Sequence, residues 1–265
     1  MQPVPIWREE TQVRPFETDF RNWWKPACFF QTIQETATHH AKNLGFDFAD
    51  MMAKGTVWVL TRLKIVFYQF PMTGQKVIVE TWPKGIQQKI FFTRDFHFYS
   101  PTGDRYAAAT SAWLLIDPHK RRMLLPNVLP GSLPRNEGHS ALDEQLEKIN
   151  PVEMTAERYT ATAAYSAIDL MSHVNNARYI EWICDSFPYQ HHQNHHLKWL
   201  QINYNNEVKP EEWVSIRTAS RPEDANQWVI EGVNQNSGVK AFDAETGWIQ
   251  TEPDKSRTCG HGARS

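Results

Sequence analysis

The amino-acid sequence predicts an α+β protein built from two tandem copies of one unit, each a long helix laid on an antiparallel sheet. Three observations carry that prediction. The segment Asp19 to Phe30 aligns with Asp169 to Ile180 at an offset of 150 positions, with the aspartate, an alanine (Ala27, Ala177) and an aromatic residue (Phe29, Tyr179) coinciding. Ala112-Trp113-Leu114 aligns with Gly247-Trp248-Ile249 at an offset of 135, so the second copy is 15 residues shorter inside. One repeat at so long a spacing marks duplicated domains, not a solenoid of short units. In both copies a single helical pattern is followed by strand patterns alone, the signature of a helix layered on a sheet. The expected divisions are a first copy over 1–125, a linker over 126–154, a second copy over 155–251 and a disordered tail over 252–265.

Each copy opens on a strand and then a helix. The first helix starts at Pro26, a favoured first-turn residue, carries apolar residues at Phe29, Phe30, Ile33, Ala37, Ala41 and Leu44, and stops at Gly45. Strands are expected over Leu63 to Phe70, Lys76 to Trp82, Lys89 to Tyr99 and Tyr106 to Ile116, with Pro71 to Gly74 and Ser100 to Gly103 as turns. Such short gaps suit an antiparallel meander. Pro126 to Pro151, rich in proline, glycine and polar residues, reads as a linker with one short helix around Leu142 to Ile149. The second helix carries Ala177, Ile180, Ile183, Cys184 and Phe187 and ends at Pro188. Its strands are expected over Leu200 to Glu207, Trp213 to Ser220, Gln227 to Asn234 and Gly238 to Gln250, with Val208 to Glu211 turning where Pro71 to Gly74 turns in the first copy.

Charge removes whole classes of function. With 28 Lys+Arg against 30 Asp+Glu in 265 residues, the chain lacks the polybasic footprint of a nucleic-acid binder or of a protein held on anionic membranes. No stretch has the roughly 20 apolar residues of a membrane span, and Met1 to Glu10 has no signal-peptide core. A cytoplasmic location is expected, or a plastid stroma if a transit peptide has been removed. Cys28, Cys184 and Cys259 form no paired framework and no zinc knuckle, which fits a reducing compartment. The histidine run His191-His192-Gln193-Asn194-His195-His196 has i, i+4 spacing but no interleaved carboxylate or cysteine, and it reads as an exposed polar connection, not a metal site. There is no phosphate-cradling glycine loop and no serine elbow. No cofactor is expected. Aromatic residues make up 12% of the chain, enough for a bulky core or an apolar cavity, and composition does not choose between them.

The segment Asp169-Leu170-Met171-Ser172-His173-Val174-Asn175-Asn176-Ala177-Arg178-Tyr179 sits where a strand feeds a helix. A carboxylate and an imidazole four residues apart can converge there. Helix-start N–H groups at Val174, Asn175 and Asn176 could meet a developing oxyanion. Against this stands a structural alternative, in which Asp169 caps the helix and His173 packs in the first turn. The repeat favours chemistry, because copy one keeps the carboxylate as Asp19 but has Trp23 in place of His173.

This segment resembles the D-x-x-x-H-V-N-N-x-x-Y stretch of acyl-acyl-carrier-protein thioesterases, a double-hotdog family of plant plastids and bacteria. The likeness extends over nearly the whole chain. It implies a double hotdog whose C-terminal copy is catalytic, with Asp169, His173 and Glu207 as the catalytic residues. Position 171 is Met where the family has Asn, and position 208 is Val where plant members often carry Cys, which excludes a cysteine nucleophile there. Cys184 is too far along the helix from His173 to replace it, about 16 Å at 1.5 Å per residue. The resemblance further implies an acyl pocket in copy one, with Phe29, Phe30, Ile33 and Trp58 as candidate walls. It implies a hydrolase of lipid metabolism that ends fatty acid elongation, with acyl carrier protein as partner and Lys84, Lys89, Arg94 and Lys120-Arg121-Arg122 as candidate docking cations. A homodimer is also admitted. Hydrolysis of acyl-CoA and idle acyl binding are the alternatives.

Overall fold

A computed structural model describes residues 2–154 and 156–251, so the tail expected over 252–265 lies outside the described residues. In chain order the strands are β1 (Trp7–Gln12), β2 (Val57–Phe67), β3 (Lys76–Gln87), β4 (Phe91–Tyr99), β5 (Arg105–Asp117), β6 (Arg122–Leu124), β7 (Ala156–Thr162), β8 (His195–Tyr204), β9 (Trp213–Arg221), β10 (Asp224–Asn234) and β11 (Lys240–Gln250). The helices are α1 (Pro26–Asn43), α2 (Phe48–Ala53), α3 (Asn176–Asp185) and α4 (Tyr189–Asn194).

The strands form one antiparallel sheet in the order β1-β3-β4-β5-β2-β8-β11-β10-β9-β7, with β6 paired to β5. This order reads the same from both ends once β1 to β5 are matched to β7 to β11. The duplication in the sequence is thus a two-fold pattern in space. The halves join through β2 and β8, where Leu63 faces Ile202 and Ile65 faces Leu200 in register. All four of these apolar residues are fully buried, which fixes that register, since a slip of one residue would turn them to the other face.

Helix α1 buries Phe29, Phe30, Ile33 and Ala37, spaced three and four apart, against the sheet and against α3. Helix α3 buries Ala177, Ile180 and Ile183 in the same way. One apolar core therefore runs beneath both helices and across both copies. Among the described residues no helix is long and apolar enough to cross a membrane.

Several sequence expectations are corrected. β2 starts at Val57, not Leu63, and β3 continues past Trp82 to Gln87 through a register shift between Pro83 and Gly85, a bulge that accommodates proline within a strand. β8 covers His195–Tyr204 and stops short of Glu207, because the N–H groups of Asn205 and Asn206 both turn to the carbonyl of Ala241. Helix α2 was not expected; Asp47 caps it by accepting from the Asp50 N–H at 2.8 Å. No helix forms around Leu142 to Ile149. There the linker carbonyls are taken by side chains from the sheet, that of Leu142 by Lys84 Nζ and that of Leu146 by Arg62 Nη1. Leu142 and Leu146 are buried, so this stretch is a strap docked on copy one.

Candidate active site

The two repeat loops share one backbone geometry. In copy two the Asp169 N–H donates to the His173 carbonyl, the Ser172 N–H to the Asp169 carbonyl, and the Met171 N–H to Asp169 Oδ1 at 2.8 Å. In copy one the N–H groups of Asp19, Asn22 and Arg21 do the same toward Trp23, Asp19 and Asp19 Oδ1. Both loops pass through the left-handed region at the same step, Ser172 with φ 61° and Asn22 with φ 66°. The aspartate thus closes a turn in both copies. It does not cap the helix, since the cap of α3 is Asn175, whose side chain accepts from the Ala177 N–H at 2.9 Å.

What differs is the chemistry hung on that shared turn. In copy one Arg21 neutralises Asp19 with two contacts to Oδ2 at 2.8 and 3.0 Å, and its Nη1 reaches across to the carbonyls of His192 and His195. In copy two the Arg21 position is Met171, and the Asp169 carboxylate faces His173, with Oδ1 at 3.7 Å from Nδ1. Both side chains are about a quarter exposed, so solvent can reach them.

Glu207 has a counterpart in copy one by the same symmetry. The Val174 N–H donates to the Val208 carbonyl, as the Trp24 N–H does to that of Pro71, which matches Glu207 to Phe70 and His173 to Trp23. In copy one these two positions touch: Trp23 and Phe70 stack with ring centroids 5.5 Å apart and planes 6° apart. Copy one therefore stacks an aromatic pair at the two positions that correspond to His173 and Glu207, whereas among the described residues no hydrogen bond or ion pair joins Glu207 to His173 or Asp169. The Glu207 carboxylate itself is half exposed and meets Arg121 Nη2 at 2.6 Å. Arg121, in the turn between β5 and β6, links the Glu207 loop to copy one and is a contact that local sequence could not reveal.

The oxyanion donors need correction. The N–H of Val174 is spent on Val208, and that of Asn175 on the Ala167 carbonyl at 2.9 Å. Among the described residues the N–H groups of His173 and Asn176 carry no such bond, and Asn176 opens α3, where the helix dipole is positive. Gln34, midway along α1, supports this end of α3: its amide lies 3.5 Å from Asn175 Oδ1 and 3.5 Å from Asn176 Nδ2. Its signal in the sequence is a glutamine beside the apolar stripe of α1.

One turn further along α1 a cavity of about 200 Å³ opens, lined by Ala37, Thr38, Ala41, Met51, Trp58 and Phe92 among others. Trp58 forms part of its wall. Phe29, Phe30 and Ile33 do not; they are fully buried in the main core, where Phe29 packs against Trp24, Phe67 and Phe98. Two of the expected docking cations are likewise internal. Lys84 is held by buried Asp95 at 3.2 Å, and Arg94 lines the cavity. Lys89, Lys120, Arg121 and Arg122 are exposed.

Cys28 and Cys184 are free thiols, both pushed up to about 12 by burial first and by neighbouring carboxylates second. In the histidine run, His191 and His195 stack with centroids 4.5 Å apart, and α4 carries part of what the sequence reads as an exposed connection.

Comparison with known proteins follows the same division. Residues 5–127 match the family model for the acyl-ACP thioesterase N-terminal domain, and residues 152–250 match that for its C-terminal domain. A chloroplastic palmitoyl-acyl carrier protein thioesterase of Gossypium hirsutum is 30% identical over 215 residues, covering 76% of this chain and 52% of that protein. Oleoyl-acyl carrier protein thioesterase 1 of Arabidopsis thaliana, also chloroplastic, is 26% identical over 236 residues, covering 82% of this chain and 64% of that one. The chain thus spans about half the length of the palmitoyl relative. The crystal structure of an acyl-ACP thioesterase from Bacteroides thetaiotaomicron superposes with a TM-score of 0.79 at 26% identity, covering 92% of this chain and 98% of that one. A 12:0-ACP thioesterase from Umbellularia californica shares the fold, with a TM-score of 0.78 at 19% identity over 94% of this chain and 98% of that one. The fold is the double hotdog expected from the repeat.

Proposed function

Because the chain belongs to the acyl-ACP thioesterase family, we propose that it hydrolyses fatty acyl thioesters carried on acyl carrier protein, releasing the free fatty acid and ending chain elongation. The observation that carries this is the asymmetry of the twin loops: the same turn is charge-neutralised and packed with aromatic rings in copy one, and left as an open aspartate–histidine pair in copy two. A purely structural turn has no need of that difference.

In the proposed reaction a water bound between Asp169 and Glu207 attacks the thioester carbonyl, and one carboxylate takes its proton. His173 orients the carboxylate and the substrate. The N–H groups of His173 and Asn176 face the tetrahedral oxyanion, with the α3 dipole behind them. Collapse breaks the C–S bond, and the captured proton passes to the departing thiolate. The acyl chain lies in the cavity of copy one, which begins about 4.5 Å along α1 from Gln34, three residues at 1.5 Å each. Lys89, Lys120 and Arg122 offer an acidic carrier protein a local basic face.

Comparison of acyl-carrier-protein and acyl-CoA thioesters across chain lengths tests the proposal. The expected result is a higher kcat/KM on the carrier protein. Equal or better turnover of CoA esters would shift the assignment to acyl-CoA hydrolysis, and turnover of neither would favour an idle binding protein. No thiol takes part in this scheme, so a Cys259→Ser chain should lose no more than about twofold in rate after iodoacetamide treatment at neutral pH, since thiols held so far above neutrality are almost wholly protonated. Rapid inactivation would implicate Cys28 or Cys184.

A further inference from the structure

The cavity in copy one is mostly apolar, and one cation on its wall has no role in the proposed hydrolysis. Arg94 lies on β4, on the face that also carries Phe96 and Phe98, and lines the cavity beside Trp58, Phe92 and Trp113. Its Nη1 donates to His40 Nδ1 at 2.9 Å and to Thr81 Oγ1 at 3.3 Å. The guanidinium always donates, so His40 Nδ1 accepts and its Nε2–H donates to the Val4 carbonyl. His40 is held neutral, driven down to about 4 by burial and by the adjacent guanidinium.

The other edge of the guanidinium is free. Among the described residues Nε and Nη2 make no hydrogen bond, and neither is among the buried side-chain atoms that lack a partner, so both keep accessible surface. These two N–H groups form the side-on fork that matches a carboxylate with two parallel hydrogen bonds. Among the described residues no carboxylate offsets the burial, which brings Arg94 down to about 10 and leaves it charged at neutral pH. The one acid on the cavity wall, Asp47, is committed to the cap of α2.

Position along α1 indicates which part of a substrate would reach this fork. His40, its partner, lies six residues beyond Gln34, about 9 Å further from the start of α3 at 1.5 Å per residue. A group there meets the far part of a chain whose thioester sits at Asp169 and His173.

Building on the thioesterase reading above, we propose that the Arg94 fork selects acyl chains that carry a carboxylate at the end remote from the thioester, so that the substrates include half-thioesters of dicarboxylic acids. The test uses pairs of thioesters of equal length, one ending in methyl and one in carboxylate, with wild-type protein, Arg94→Met and Arg94→Lys. At its best length the wild type should favour the carboxylate-ended chain at least about 10-fold in kcat/KM, the scale of a charge-assisted hydrogen bond. Arg94→Met should reverse the preference, its kcat/KM falling far more on the carboxylate-ended chain than on the methyl-ended one, and Arg94→Lys, which keeps the charge but loses the fork, should fall between. Preference of the wild type for methyl-ended or hydroxyl-ended chains, or an unchanged preference in Arg94→Met, overturns the proposal.

Binding separates this proposal from the activity on which it rests. If no thioester is hydrolysed, calorimetry with the monomethyl ester of a dicarboxylic acid and the methyl ester of the matching fatty acid still decides. Tighter binding by the wild type of the half-ester than of the methyl ester supports the Arg94 site, and equal or weaker binding, or none, overturns it. The wild-type comparison holds even if the Arg94→Met chain fails to fold.

Discussion

Asp169→Asn is expected to lower turnover of fatty acyl thioesters at least ~100-fold, the scale of acid/base assistance, equivalent to roughly 2.7 kcal/mol of transition-state stabilisation. The variant isolates charge from structure. The amide oxygen of asparagine can still accept from the Met171 N–H, the bond that closes the turn, so the loop and the start of α3 should keep their places. Only the negative charge facing His173 is removed. Glu207→Gln should cost a similar factor. Its Arg121 pair is exposed, so losing that contact should change stability by less than about 1 kcal/mol. Asp19→Asn supplies the control. It breaks the Arg21 pair that ties the copy-one loop to the carbonyls of His192 and His195, so it should lower the melting temperature and leave kcat near wild type. Wild-type turnover in Asp169→Asn and Glu207→Gln alike would remove both carboxylates from the mechanism.

The parts of this site that could be read from sequence are those that a short segment encodes. Asp169, Ser172, His173 and Asn175 lie within seven residues, and their geometry is set by bonds within that turn. The repeat added the comparison with Asp19 and Trp23. Contacts set by the far pairing of strands could not be read in this way. Glu207 was located by family resemblance alone, and its partner Arg121 comes from 86 positions away. Of the four residues expected to wall a pocket, Trp58 lines the cavity and Phe29, Phe30 and Ile33 do not, because periodicity identifies the buried side of α1 but does not separate core from cavity. Phe29, Phe30 and Ile33 meet the main core, whereas the cavity forms further along, where α2 and Leu133 of the linker come in. Arg94 did leave a signal. Alternation along β4 sets it on the same face as Phe96 and Phe98, toward α1, which contradicts a docking role at the surface. That alternation is blurred because β4 is buried on both faces, with Asp95 and His97 covered by the linker strap.

The strap itself is held by a buried ion pair whose removal should cost the most stability. Asp95, with no exposed side-chain surface, accepts from Lys84 Nζ at 3.2 Å, from Thr110 Oγ1 at 2.6 Å and from the Ala141 N–H of the strap at 2.7 Å, while Lys84 also donates to the Leu142 carbonyl. Lys84→Met strands a buried carboxylate and is expected to destabilise the protein by about 3–5 kcal/mol, measured by denaturant unfolding at pH 7. Burial already raises the Asp95 carboxyl above its ordinary value against the pull of its hydrogen bonds and of Lys84, and loss of the lysine should raise it further. The sign of the pH effect follows. A carboxyl raised in the folded state favours folding below its unfolded value and loses that advantage as pH rises through its folded value. The deficit of Lys84→Met should therefore shrink as the solution is acidified through the raised Asp95 range and be largest at neutral pH. Lys84→Met/Asp95→Leu, which removes both charges, should recover much of the loss, because apolar replacement of a buried pair is often neutral. A cost below about 1 kcal/mol for Lys84→Met, or a deficit that grows on acidification, would show that the strap is held by the apolar contacts of Leu142 and Leu146 and not by the pair.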